Sequence, residues 1–178
     1  MSRFEKLLDR LGRERRLATE EYEELVRTLS REEAAGEREE LFARARRVRE
    51  AVYGKKVYIR GLVEVSNVCR NDCYYCGIRK SNGHAVRYRM DQEEILECCR
   101  EGYRLGFRTF VFQGGEDPAM TDEVVEALVA AVHREFPDCA ITLSLGEKER
   151  ESYQRFFDAG ASRYLLRHET ASPEHYRR

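Results

Sequence analysis

Apolar positions recur at helical spacing through the first fifty-odd residues and at strand spacing after them. Phe4, Leu7, Leu8 and Leu11 fall on one helical stripe. Leu17, Tyr22, Leu25 and Val26 form a second, with Thr19 as its cap and Glu20 and Glu21 in the first turn. Leu41, Ala45, Val48 and Val52 form a third, and Gly54 supplies a stop. The pattern predicts three amphipathic helices, a helical extension over residues 1–56. Their charged faces, Arg13 to Arg16 and Glu37 to Glu40, read as solvated surface.

From Val57 the period changes. Val57 to Val65 alternates and is β-branched, which predicts a strand, and a cysteine-bearing loop follows. Asp91 caps the next helix, with Glu94 in capping-box position and Ile95, Leu96, Cys99 and Tyr103 on its apolar stripe. Phe107 to Phe112 predicts a second strand ending in Gly114-Gly115. Thr121 opens a helix with Val124, Val125, Leu128, Val129, Val132 and Phe136 facing inward. A third strand runs from Ile141 to Leu145 and ends at Gly146. A helix marked by Tyr153, Phe156 and Phe157 stops at Gly160. Tyr164 to Leu166 predicts a fourth strand, ending in Arg167-His168-Glu169-Thr170.

Strand and helix alternate about every thirty residues over 57–178, which predicts βα units and a parallel sheet, an α/β fold. Ligands of such sheets gather at the carboxyl ends of the strands. The cysteine loop, QGGEDP, SLGE and RHET all fall there. A closed (β/α)8 barrel needs roughly 250 residues. Four units are half a barrel or a truncated copy of a longer protein, and they leave an open sheet edge. Alone, such a chain is expected to bind a cluster poorly and to turn over little or not at all.

Composition narrows the function class. Lys and Arg number 32 and Asp and Glu 33, so the net charge of −1 provides no basic field for nucleic acid or an anionic membrane. No apolar run approaches the roughly 18 residues of a membrane span, and the N-terminus lacks a signal-type apolar core. The expectation is a cytoplasmic chain, where six cysteines serve as ligands, catalysts or core residues rather than disulfides.

Cys69, Cys73 and Cys76 stand at Cys-x3-Cys-x2-Cys spacing in SNVCRNDCYYCGIRKSN. Three thiolates so close can wrap one metal centre, and inward backbone N–H groups offset the charge. A 4Fe-4S cluster wants four ligands, so three from one loop leave one iron open. The competing reading is a zinc site with His84 or Cys98 as fourth ligand, although zinc sites usually pair Cys-x2-Cys units. Cys98, Cys99 and Cys139 read as core residues.

This triad, with Tyr75 just before the third cysteine, resembles the signature of radical S-adenosylmethionine (SAM) enzymes. GLVEVSNVCRNDCYYCGIRKSN, RYRM (Arg87 to Met90), FQGGEDP, TLSLGE and AGASRYLLRHETASP resemble the HydE family of FeFe-hydrogenase maturases, in the biotin synthase-like group. The resemblance runs over this whole chain but about half of a family member. It implies a partial TIM-type radical SAM barrel, with N-terminal helices before it, that cleaves SAM reductively to a 5′-deoxyadenosyl radical. Cys69, Cys73 and Cys76 would hold the 4Fe-4S cluster, and Tyr75 would lie near the adenine. Gln113, Gly114, Gly115, Glu116, Asp117 and Pro118 match a motif whose backbone meets the methionine amino group. Ser144 and Glu147 would face the ribose or amino-acid end, and Arg167 the carboxylate. The implied partners are a small organometallic or other small-molecule substrate, a reduced ferredoxin or flavodoxin, and other hydrogenase maturases. Biotin synthase-like or methylornithine-forming chemistry, or a metal-holding scaffold without catalysis, are the alternatives.

Several of these residues also have plain structural readings. Gly114-Gly115 suits an ordinary strand-to-helix turn, and Asp117-Pro118 a helix start. Glu147 suits a first helical turn, and Arg167 a pair with Glu169. His133 lies beside a buried stripe, and His168 at a strand end is the histidine best placed for function.

Overall fold

The computed structural model describes residues 1–167 and 172–176, so His168, Glu169 and Thr170 lie outside the described residues. The chain divides into two units, Met1–Val57 and Tyr58–Arg178.

The first unit is helical: α1 (Arg3–Glu14), α2 (Thr19–Leu29) and α3 (Ala35–Tyr53). Ser2 caps α1 by accepting from Glu5 N at 3.1 Å, while Glu5 Oε2 accepts from Ser2 N at 2.6 Å. The cap of α2 is Ala18 rather than Thr19, because Glu21 reaches back to Ala18 N at 3.0 Å and Thr19 is already helical. Leu7, Leu8 and Leu25 are buried, but Tyr22 and Val26 are exposed. The stripe of α3 also stays open: Leu41, Ala45, Val48 and Val52 line a groove of about 830 Å³ with Leu8 and Leu11. Gly54 ends α3 at φ 63°.

The second unit alternates as expected: β1 (Gly61–Ser66), α4 (Gln92–Arg104), β2 (Thr109–Gly114), α5 (Asp122–Glu135), β3 (Ala140–Ser144), α6 (Arg150–Asp158), β4 (Arg163–Tyr164) and a short α7 (Pro173–Tyr176). The strands form one parallel sheet in the order β1-β2-β3-β4. In-register residues share a face, so Val63, Phe112 and Leu143 line up, as do Phe110 and Ile141. That face meets Ile95, Leu96 and Cys99 of α4, Val125, Leu128, Val129 and Val132 of α5, and Phe156 of α6 in one core. Among the described residues, no helix is long and apolar enough to cross a membrane.

Further expectations need correction. The fourth strand covers Arg163–Tyr164 and not Tyr164 to Leu166, because pairing with β3 ends at Tyr164 opposite Leu143. The first strand begins at Gly61 and not at Val57, because its neighbour starts pairing at Gly61 opposite Phe110, and Val57, Tyr58 and Ile59 stay exposed. Val124 points outward, one position off the buried stripe of its helix. Cys98 is exposed beside the fully buried Cys99, so only Cys99 and Cys139 join the core. The helix after QGGEDP starts at Asp122, with Thr121 as its cap, and not at Asp117-Pro118.

Asp117 instead fastens the exits of β1 and β2. Its side chain is wholly buried; it accepts from Arg89 Nε at 2.6 Å and Nη2 at 2.9 Å, from Ser66 Oγ at 2.6 Å, and from Ala119 N at 3.0 Å. Burial pushes the carboxyl up, but these donors outweigh it and hold its pKa at about 2. The folded form thus binds its proton less readily than the unfolded chain, whose ordinary value is 3.8, so the stabilisation is present above that value and is lost as pH falls towards 2. Its upper bound is on the order of 2 kcal/mol, lowered because Arg89 is half exposed. Asp117→Asn should lower unfolding stability by about 1–2 kcal/mol near neutral pH, and that deficit should shrink between about pH 5 and pH 3. Urea titrations of both proteins across that range check it.

Candidate cofactor cleft

A parallel sheet sends all its carboxyl ends to one side, so sequence segments far apart meet there. Here the loop after β1 supplies Cys69, Cys73, Tyr75 and Cys76, and the exit of β2 supplies Gly114, Gly115 and Glu116. Ser144, Gly146 and Glu147 follow from β3, and Leu165, Leu166 and Arg167 from β4. Together they line a cleft of about 180 Å³. A second depression of about 310 Å³ shares Glu116 and Glu147 with it.

The cysteine loop is shaped by its own backbone. Val68 N donates to Ser66 Oγ at 3.1 Å, Cys76 N to Cys73 O at 3.0 Å, and Lys80 N to Asn71 O at 2.8 Å. Asp72 accepts from Ser81 N at 2.9 Å, and its bonds from Ser81 hold the carboxyl below its usual range. All three thiols are free, Cys73 exposed and Cys69 and Cys76 half-buried. Among the described residues, no three His, Cys, Asp or Glu side chains stand as a ready-made metal site, so the thiols share the cleft without converging on one point.

Glycine is required where the loop meets β2. A Cβ on Gly115 would lie 2.7 Å from Cys69 Cβ and closer still to the Val68 carbonyl oxygen. Gly115 N donates to Ser66 O at 3.2 Å, and Arg70 N to Glu116 O at 3.0 Å, which stitches the loop to the strand exit. Gly146, at φ +85°, presses against Glu116 in the same way.

The expected site residues do not all behave alike. Gln113 does not line the cleft; its side chain donates to Glu64 Oε1 at 3.1 Å. The Glu116 carboxylate is held by Arg70, with Nη2 at 2.9 Å, a partner that sequence reading passed over because nothing but its place beside Cys69 marks it. Ser144 is buried, while Glu147, Arg167 and Tyr75 are exposed at the cleft. Glu147 precedes the first turn of α6 and is not part of it. His84 and Cys98, the donors that zinc would need, do not line the cleft. Among the described residues, three thiols line the cleft with no fourth cysteine or histidine, a donor set that fits an iron–sulfur cluster with one open iron better than a closed zinc site.

Comparison with known proteins agrees. Residues 63–178 match the radical SAM superfamily. The chain is 46% identical over 143 residues to the [FeFe] hydrogenase maturase subunit HydE of Thermotoga maritima, which covers 80% of this chain and 40% of that protein. It is 32% identical over 154 residues to 3-methylornithine synthase of Methanosarcina acetivorans, with coverage of 85% and 43%. The crystal structure of methylornithine synthase (PylB) superposes with a TM-score of 0.82 at 29% identity, over 96% of this chain and 50% of that one. The chain thus spans half or less of the length of these relatives. With its parallel βα units, its cysteine loop after the first strand and these matches, the chain belongs to the radical SAM superfamily.

Proposed function

We propose that the chain carries the cofactor-binding half of a radical SAM enzyme of FeFe-hydrogenase maturation. One observation carries the reading: Cys69, Cys73 and Cys76 share a cleft with Gly114, Gly115, Ser144, Glu147 and Arg167, drawn from four strand exits. A 4Fe-4S cluster and SAM bound there supply one-electron cleavage of the sulfonium, giving methionine and a 5′-deoxyadenosyl radical.

The chain's own residues bind and orient. The three cysteines, as thiolates, would hold the cluster and leave one iron without a protein ligand, open to SAM. Gly114 and Gly115 present bare backbone, which lets the methionine end approach closely. The Glu147 carboxylate suits an ammonium or a ribose diol, and the Arg167 guanidinium suits a carboxylate. Ser144 adds a hydroxyl, and Tyr75 a ring for the adenine. Glu116 and Gln113 contribute through backbone position, since Arg70 and Glu64 engage their side chains. The identity to HydE supports a role in hydrogenase maturation; the family resemblance in the motifs implies a small organometallic or other small-molecule substrate and a reduced ferredoxin or flavodoxin as donor. The likeness to methylornithine synthase in sequence and shape favours, as second reading, rearrangement of an amino acid.

Anaerobic reconstitution should load iron and sulfide in equal numbers, up to about four of each per chain, and the paramagnetic resonance of the reduced cluster should change on adding SAM. Cys69→Ala, Cys73→Ala and Cys76→Ala should each abolish that signal, whereas Cys98→Ala should leave it intact. A colourless product, or a metal held by four protein donors, would overturn the reading. Gly115→Ala should at least halve the iron bound, because its methyl group must displace the backbone next to Cys69. Iron analysis beside the parent chain checks it.

A further inference from the structure

We propose that Arg87 is the positioning residue of the cysteine loop. The guanidinium donates to four backbone carbonyls: Nη1 to Asn67 O and Ile78 O, both at 2.7 Å, and Nη2 to Arg79 O at 2.7 Å and Asn82 O at 3.2 Å. Asn67 lies two residues before Cys69, and Ile78 two residues after Cys76. One planar fork thus ties the outgoing leg of the loop to its return. Asn67 closes the base from the other side. Its side chain accepts from Tyr88 N at 2.8 Å and donates to Val86 O at 2.7 Å. All three thiols hang between these ties.

The chemistry of the residue matters. A guanidinium holds its donors in a fixed plane and makes the stronger, charge-assisted kind of hydrogen bond. A lysine ammonium is a compact point donor on a flexible stem and cannot span the same four carbonyls. Among the described residues Arg87 has no ion pair, so no carboxylate neutralises it. Its charge remains to offset the negative charge of a thiolate-bound cluster. Reduction adds a further negative charge, which a cation tied to the loop that carries the thiols makes easier to accept. The inference rests on the three cysteines being cluster ligands. Its first readout does not need the cluster.

Hydrogen exchange on the full chain before reconstitution tests the clamp in Arg87→Gln and Arg87→Lys. In both variants the amides of Cys76, Arg79 and Lys80 should exchange about tenfold faster or more, while those of β1, β2 and β3 keep their protection. After reconstitution both should hold less iron per chain than the parent. The reduction potential should fall in Arg87→Gln and fall less in Arg87→Lys, which keeps the charge. Unchanged loop exchange, full rescue by lysine, or lost protection throughout the sheet would overturn the assignment. An unshifted potential in Arg87→Gln would overturn it too. Should the parent chain take up no cluster, the proposed function falls, while the exchange comparison still decides whether Arg87 clamps the loop.

Discussion

Gly115 sits against Val68 and Cys69 with no room for a side chain, and its N–H reaches Ser66 O at 3.2 Å. This contact joins the exit of β2 to the start of the cysteine loop. Beside it, the register between β1 and β2 shifts between Glu64 and Ser66, so Ser66 pairs with Gly114 and turns inward to Asp117. Strand bulges of this kind re-aim a chain where a site begins. The first thiol is therefore placed by sheet geometry, and the other two by the loop's own hydrogen bonds.

The sheet carries the site on unequal faces. One face, with Phe110, Phe112, Ile141 and Leu143, is sealed by α4, α5 and α6 and supplies the rigidity. On the other, register aligns Glu64 with Gln113 and Gln113 with Ser144, and in the row before it Leu62, Val111 and Thr142. Leu62 is 55% exposed, and the buried Thr142 hydroxyl has no hydrogen-bond partner among the described residues. The buried face holds the frame, and the polar row leads up to Ser144 at the cleft.

Much of this was legible because the signals were local. The Asp91–Glu94 capping box, the Thr121 cap, the Gly54 stop and the alternation of strand and helix each follow from neighbours in sequence. The cysteine spacing and the glycine pair were legible for the same reason. What stayed hidden depends on partners far away in the chain. Val57 to Arg60 alternates like a strand but precedes the ladder, which starts where Gly61 meets Phe110. Asp117 looks like a helix start until Arg89 and Ser66 reach it. Arg70 carries no local mark and Arg87 stands out only as the start of the RYRM segment; folding shows that one holds Glu116 and the other binds four carbonyls. Gln113 lies within the recognised motif, yet its side chain turns to Glu64.

The central claim is that three protein sulfurs leave one iron of a cluster for SAM. Mössbauer spectroscopy of chain reconstituted with isotopically labelled iron tests it most directly. On adding SAM, one iron site in four should change its isomer shift and quadrupole splitting while the other three stay as they were. Four sites that ignore the cofactor would contradict the account.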